Sequence, residues 1–343
     1  MRLYALSIAF VLAVVSSARA EPFAYVPDVL GSEVSVIDLA AGSVVTTIPT
    51  PGLGVDAVAT SIDGTRVYVG GNDIATSAGA VVVIDVATNA VVDTVTNVGT
   101  SLTAIALSPD GLRIYATNFN NAVQVIDTVT NTLIDEIVLP GTLVGIVVHP
   151  DGSRLYVSDF TGFVHVLDRA TQTLNTSIAL PQGVEPITVD GDGMRVYAAY
   201  EGSGGTGLVS IDTATDTLVT DLPTEFLLRD VATTCGLVWA TNEDDHEVTV
   251  FTVEPLSVIG AVPVAGGPVS IDARGDGAAV YATDVSGDRV FEIAVSTMNV
   301  VDTITTGNPF AQGRFITGAL PTCSIFEDGF ESGNTAVWSA TVP

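Results

Sequence analysis

Lysine is absent from this chain: all 11 basic residues are arginines, set against 39 acidic residues. So little positive charge excludes the usual chemistry of nucleic-acid and anionic-membrane binding, in which basic side chains neutralise phosphates. Cysteine appears twice and histidine three times. That rules out a cysteine-rich scaffold and paired zinc-binding cysteines, and no histidine has a neighbour at metalloprotease spacing. Aromatics are only 6% of residues. No Gly-x-Ser-x-Gly elbow occurs. Beyond the first twenty residues there is no apolar run long enough to cross a bilayer, which takes about 20 residues.

What is abundant is β-forming. Hydrophobic residues reach 47%, and Gly numbers 33; Val and Thr fit a pleated surface and Gly serves turns. Residues 1–20 read as a cleaved export signal. Arg2 supplies the positive start, Leu3 to Val15 the apolar core, and Ala18-Arg19-Ala20 the small residues before the cut. The mature chain would start at Glu21 with 9 basic and 39 acidic residues, a net charge of −30. Self-repulsion of this kind keeps a protein soluble and monomeric. A secreted or periplasmic monomer without a membrane span is expected.

Repetition organises residues 21–320. An aromatic followed by a small or β-branched residue recurs at Tyr25, Tyr68, Tyr115, Tyr156, Tyr197, Trp239 and Tyr281, at separations of 43, 47, 41, 41, 42 and 42 residues. Most copies follow an Asp-Gly turn such as Asp63-Gly64, Asp110-Gly111 or Asp151-Gly152. Most are followed by an apolar run closed by Asp, as at Asp38, Asp85, Asp127, Asp168 and Asp212. Each unit therefore reads as four short strands. In the third unit these are Leu102 to Ser108, Arg113 to Thr117, Ala122 to Asp127 and Leu133 to Leu139. Near-continuous apolar runs suit sheets covered on both faces. A period near 42 residues with four strands per unit specifies an all-β, seven-bladed β-propeller of antiparallel blades.

Tyr115-Ala116-Thr117-Asn118 and Trp239-Ala240-Thr241-Asn242, with Ser108-Pro109-Asp110-Gly111 and Val125-Ile126-Asp127-Thr128, resemble the signature of the YVTN β-propeller repeat family. The resemblance covers roughly residues 23 to 318. It implies the propeller fold and leaves function open, since members range over binding, surface and enzyme-associated roles. Only six first strands precede the seven second strands. By similarity to other propellers, the seventh first strand would be Phe310 to Thr317, joining Phe23 to Thr50 in one blade and closing the ring with both chain ends.

Cys235 and Cys323 both fall just past a first strand and so on one face of the ring. In an exported protein a Cys235–Cys323 disulfide is expected, the alternative being two unrelated thiols. Residues 321–343 form a short acidic tail, Phe326-Glu327-Asp328-Gly329-Phe330 among them. They are either a sorting or attachment segment, or an acidic tail that is flexible or packed on the propeller.

The candidate site follows from the symmetry. Loops between second and third strands share one face and carry Asp28, Asn118, Asp159, Asn242 and Asp284 at one equivalent position, with Glu201 and Asp244 nearby. Such residues either build a repeated turn or form an oxygen ring able to hold calcium or a cationic partner. His149 reads as a turn residue and His165 as a packed or edge-exposed imidazole of a third strand. His246, in an acidic loop, is the one histidine among possible ligands. The leading expectation is a non-catalytic propeller binding a partner protein or small ligand on that face, with no catalytic residue and no cofactor other than calcium. The alternatives are a lactonase-like hydrolase, because lactonases include similar seven-bladed propellers, and a structural cell-surface component.

Overall fold

The computed structural model describes residues 23–28, 30–234, 236–307, 309, 312–313 and 315–317. The export signal, Cys235, Cys323 and the tail, and with them the disulfide, lie outside the described residues.

Seven antiparallel sheets form the blades, numbered here in chain order. Blade 1 holds β1 (Phe23–Asp28), β2 (Glu33–Asp38) and β3 (Ser43–Pro49). Blade 2 holds β4 (Leu53–Thr60), β5 (Arg66–Asp73), β6 (Ala78–Asp85) and β7 (Ala90–Thr100). Blade 3 is β8 (Leu102–Leu107), β9 (Arg113–Asn118), β10 (Ala122–Asp127) and β11 (Thr132–Val138). Blade 4 is β12 (Leu143–Val148), β13 (Arg154–Asp159), β14 (Phe163–Asp168) and β15 (Thr173–Ala179). Blade 5 contains β16 (Gly183–Val189), β17 (Arg195–Gly202), β18 (Gly205–Asp212) and β19 (Thr217–Thr224). Blade 6 contains β20 (Leu228–Thr234), β21 (Leu237–Asn242), β22 (Glu247–Val253) and β23 (Leu256–Pro263). Blade 7 contains β24 (Pro268–Ala273), β25 (Ala279–Asp284), β26 (Arg289–Ala294) and β27 (Asn299–Thr305). A last strand, β28 (Gln312–Gly313), belongs to the closure. No helix among the described residues is long and apolar enough to cross a membrane.

Turn chemistry sets the strand ends. Gly64, Gly111, Gly152, Gly193 and Gly277 all take φ between 68° and 74° after an acidic residue, a conformation open to Gly without a Cβ penalty. In the first of these turns Asp63 accepts the Ser61 hydroxyl at 2.7 Å and the Thr65 N–H at 3.0 Å. The Asp that closes each third strand caps the next turn: Asp127 Oδ1 accepts N–H groups of Val129 and Thr130 at 2.9 Å. Its other oxygen takes Arg113 at 2.6 Å, and Asp85 and Asp212 hold Arg66 and Arg195 in the same way. Every described arginine is spent in such an ion pair.

Packing follows a taper. The aromatic of each second strand is buried and lies opposite a first-strand residue that is mostly small. The pairs are Tyr68 with Ala59, Tyr115 with Ala106, Tyr156 with Val147, Tyr197 with Thr188, Trp239 with Ala232, and Tyr281 with Asp272. Blades widen outward from the axis, so bulk belongs on the second strand and small residues inside. A β-bulge between third and fourth strands recurs in all seven blades, for example at Val125/Ile126 and Val166/Leu167. It adds twist at an otherwise open outer edge.

Closure occurs where the repeat count placed it. Tyr25 N–H bonds Phe315 O at 2.8 Å and Thr317 N–H bonds Phe23 O at 2.9 Å, with antiparallel bridges Ala24–Ile316 and Asp28–Pro309. The closing segment does more than complete blade 1. Its β28 also pairs in parallel with β4 of blade 2, so both of its edges are engaged and blades 1 and 2 are bonded through the backbone.

Candidate functional site

The loops between second and third strands gather on one face, as the connectivity requires. Asp28, Asn118, Asp159, Asn242 and Asp284 are all buried there. Each closes its own loop. Asp28 Oδ1 accepts N–H groups of Leu30 and Gly31 at 3.0 and 2.7 Å. Asn118 accepts those of Asn120 and Ala122, and Asp284 those of Ser286 and Gly287. Asn242 accepts the Asp245 N–H at 3.2 Å. Asp159 accepts the N–H groups of Thr161 and Phe163 at 2.7 and 3.1 Å.

A glycine from the end of the preceding fourth strand, or from the connection that follows it, packs directly on most of these side chains: Gly99 on Asn118, Gly141 on Asp159, Gly266 on Asp284 and Gly307 on Asp28. The recurring Asx is thus consumed by a recurring turn seated on a recurring glycine. Glu201 sits at the blade 5 strand end opposite Gly183, and Asp244 lies exposed in its loop. Among the described residues no group of three or more His, Cys, Asp or Glu side chains converges as a metal site. Each of the five recurring Asx side chains builds the turn of its own loop, and His246 occupies an exposed left-handed turn position at φ 58°.

A site that the sequence reading missed lies on the axis. A cavity of about 330 Å³ opens among the first strands, which meet around it from separate blades. Ile105, Leu107, Ile146, Val148, Ile187 and Val231 line it, and Ala106 and Val147 are partly exposed within it. Its mouth lies at the turns between first and second strands, on the face opposite the Asx loops. Two carboxylates of its wall tie neighbouring first strands together. Asp230 Oδ2 accepts Ile271 N–H of blade 7 at 2.9 Å, and Asp272 Oδ2 accepts Ile316 N–H of the closing segment at 2.9 Å. Thr60 Oγ1 and Ile316 O make a further link at 2.9 Å. The wall is therefore held by hydrogen bonds rather than by contact alone, which keeps the cavity's shape defined.

Two further carboxylates are shifted upward by burial. Asp56, on the β4 bulge between Val55 and Ala57, has an Oδ1 sealed from solvent without a hydrogen-bond partner among the described residues. Desolvation pushes its carboxyl up to about 7, against opposing N–H bonds from its own backbone and Ala57. Asp190, in the turn beside cavity-lining Gly191, rises to about 6 through burial and the nearby charge of Asp192.

His149 and His165 are both built in. His149, buried, bonds Gly193 O at 2.8 Å and pairs with Asp151, bridging the blade 4 and blade 5 turns. His165 lies between Asp159 and Ser177. Repeat alignment carried the signal for that contact, since residues 165 and 177 sit where Gln124 and Glu136 hydrogen-bond in blade 3.

No family model matches this chain, and no curated protein matches it. Solved structures match as folds. Hydrazine synthase of Kuenenia stuttgartiensis superposes with a TM-score of 0.68 at 20% identity, covering 76% of this chain and 89% of that one. Dihydro-heme d1 dehydrogenase NirN, in complex with DHE, gives 0.64 at 15% identity over 82% of this chain and 63% of its own. The Cps50 (Swd1) β-propeller domain from Myceliophteria thermophila gives 0.64 at 14% identity, covering 79% and 95%. At these identities the likeness shows the β-propeller fold and no shared activity.

Proposed function

We propose that this protein is an exported binding scaffold that holds a small apolar ligand in its axial cavity, on the face opposite the Asx loops. It is read as a divergent relative of the YVTN-repeat propellers, supported by the Tyr115–Asn118 and Trp239–Asn242 stretches together with the seven-bladed fold. The observation that carries the binding reading is the cavity itself. Its volume of about 330 Å³ falls within the size of small-molecule sites, and its aliphatic walls with a few fixed polar groups match their composition. A large negative field favours neutral or cationic ligands over anions.

The test is titration of the full chain with a neutral hydrophobic fluorophore such as N-phenyl-1-naphthylamine. Saturable one-to-one binding is expected, and Ala106→Phe, which fills the cavity from a partly exposed position, should weaken it at least about tenfold. Absence of saturable binding, or binding unchanged in a folded Ala106→Phe variant, would overturn the reading.

A further inference from the structure

Blade 4 carries a second constellation, remote from the axis. His165 of β14 has Nδ1 2.8 Å from Ser177 Oγ of β15 and Nε2 2.9 Å from Asp159 Oδ2. A carboxylate only accepts hydrogen bonds, so Nε2 carries the ring proton and Nδ1 of the neutral imidazole is left to accept. Ser177 is then the donor, with its hydroxyl proton aimed at a base. Asp159 is fixed in place, because its Oδ1 accepts the Thr161 hydroxyl at 2.8 Å in addition to the two turn N–H groups, and Gly141 packs against Oδ2. The His165 and Asp159 side chains are 2% and 1% exposed, while Ser177 is exposed on the outermost strand. An accessible hydroxyl is thus backed by a buried base and a buried orienting carboxylate.

Strand register places the pair. Leu180 N–H bonds Gly162 O at 2.8 Å, so hydrogen-bonded pairs fall at Leu180 and Ile178, and His165 faces Ser177 in a non-hydrogen-bonded pair, where side chains approach closely. The Ser177 N–H consequently points away from β14, over the edge where the sheet ends. A nucleophile's own uncommitted N–H is a donor for a developing oxyanion. Phe163 stacks on the His165 ring at 6.1 Å, and Phe119 and Phe160 form an exposed aromatic pair at the same loop face. In neighbouring blade 3, β11 buries Ile137 in the cluster shared with blade 4 and exposes Asp135 on the face it shares with Val125.

We infer that Ser177 is an activated nucleophile toward small apolar acyl esters, with His165 as its base and Asp159 as the positioning carboxylate. Ser177 Oγ bonds to the carbonyl carbon while its proton passes to His165 Nδ1. The ester C–O bond breaks and the leaving alcohol takes that proton. Water then attacks the Ser177 ester by the same route, freeing the carboxylic acid and restoring the hydroxyl. The two ring nitrogens are exchanged relative to serine proteases; the roles of nucleophile, base and orienting acid are kept, and these roles define such a triad.

The experiment treats the full chain with a fluorophosphonate, which forms a P–O bond to an activated serine as fluoride leaves, and locates the modified residue by peptide mass spectrometry. Ser203, exposed on the loop between β17 and β18, is the internal reference. Ser177 should react at least about 10²-fold faster than Ser203, the lower end of what a general base contributes. His165→Gln should bring Ser177 to the reference rate, and Ser177→Ala should abolish both the label and hydrolysis of p-nitrophenyl butyrate. Because His165→Gln alters a buried site, S177C provides an arm that leaves the base and carboxylate in place. Its thiol at position 177 should be alkylated below pH 7, where a free thiol near pKa 8.5 is slow. Equal labelling of Ser177 and Ser203 in the parent protein, or an ordinary thiol profile in S177C, would overturn the inference.

Discussion

Replacing Asp56 by Asn turns one buried carboxyl into a pH-resolved measurement. In the folded chain this group titrates near 7 rather than at its ordinary 3.8. Between those values the folded state keeps the proton and the unfolded chain has released it. More protons bound in the folded state means that stability falls as pH rises through this window, and the loss is complete above the folded value. Each pH unit of the window is worth about 1.4 kcal/mol, or about 4 kcal/mol over its full width. Asparagine has no such titration, and all other groups cancel in the comparison. The stability of Asp56→Asn relative to the parent should therefore climb by up to about 4 kcal/mol between pH 4 and pH 8, then level off. Urea denaturation at four or five pH values measures it. A difference that stays flat across this range would refute the argument that Asp56 is ionised only at a cost. Asp190, titrating near 6, adds a contribution of the same sign over a narrower pH window, and that contribution should vanish from the curve in Asp190→Asn.

Two further expectations concern the frame. Gly111 and Gly141 both take positive φ, but a Cβ at Gly111 meets open space while one at Gly141 runs into the Asp159 carboxyl. Gly111→Ala should cost about 1 kcal/mol, and Gly141→Ala clearly more, as compared by thermal melting. Phe315, fully buried beside Tyr25 in the closing segment, should cost about 3–5 kcal/mol when cut to Ala. Limited proteolysis should then release the closing segment first, and cleavage elsewhere in the ring before this segment would count against its role as the latch.

Much of this architecture was legible because it is written locally and repeated. Asp-Gly before an aromatic strand, and Asp at the end of an apolar one, each specify a turn by their own hydrogen bonds. In blade 3 the expected strand Ala122 to Asp127 is the observed one, and its neighbours differ by a residue at their ends. Where the Asx residues fall was likewise visible. Their use was not, because whether a carboxylate binds a ligand or its own loop depends on which N–H groups surround it. The glycines packed against them come from another part of the chain, as Gly141, in the connection between β11 and β12, does for Asp159.

Period and turn chemistry in the sequence by itself determined seven four-stranded blades, their order and the segment that closes them, since each of these needs only neighbours along the chain or a count of strands. The tertiary structure alone decided what the ring encloses and what its sides bring together. The axial cavity exists because first strands from separate blades meet around it. The β4 bulge holds the Asp56 carboxyl where burial raises its titration, and antiparallel register sets Ser177 on His165, whose other ring nitrogen meets Asp159. None of these depends on one residue's preference. Each is a product of register and of neighbouring blades packed face to face.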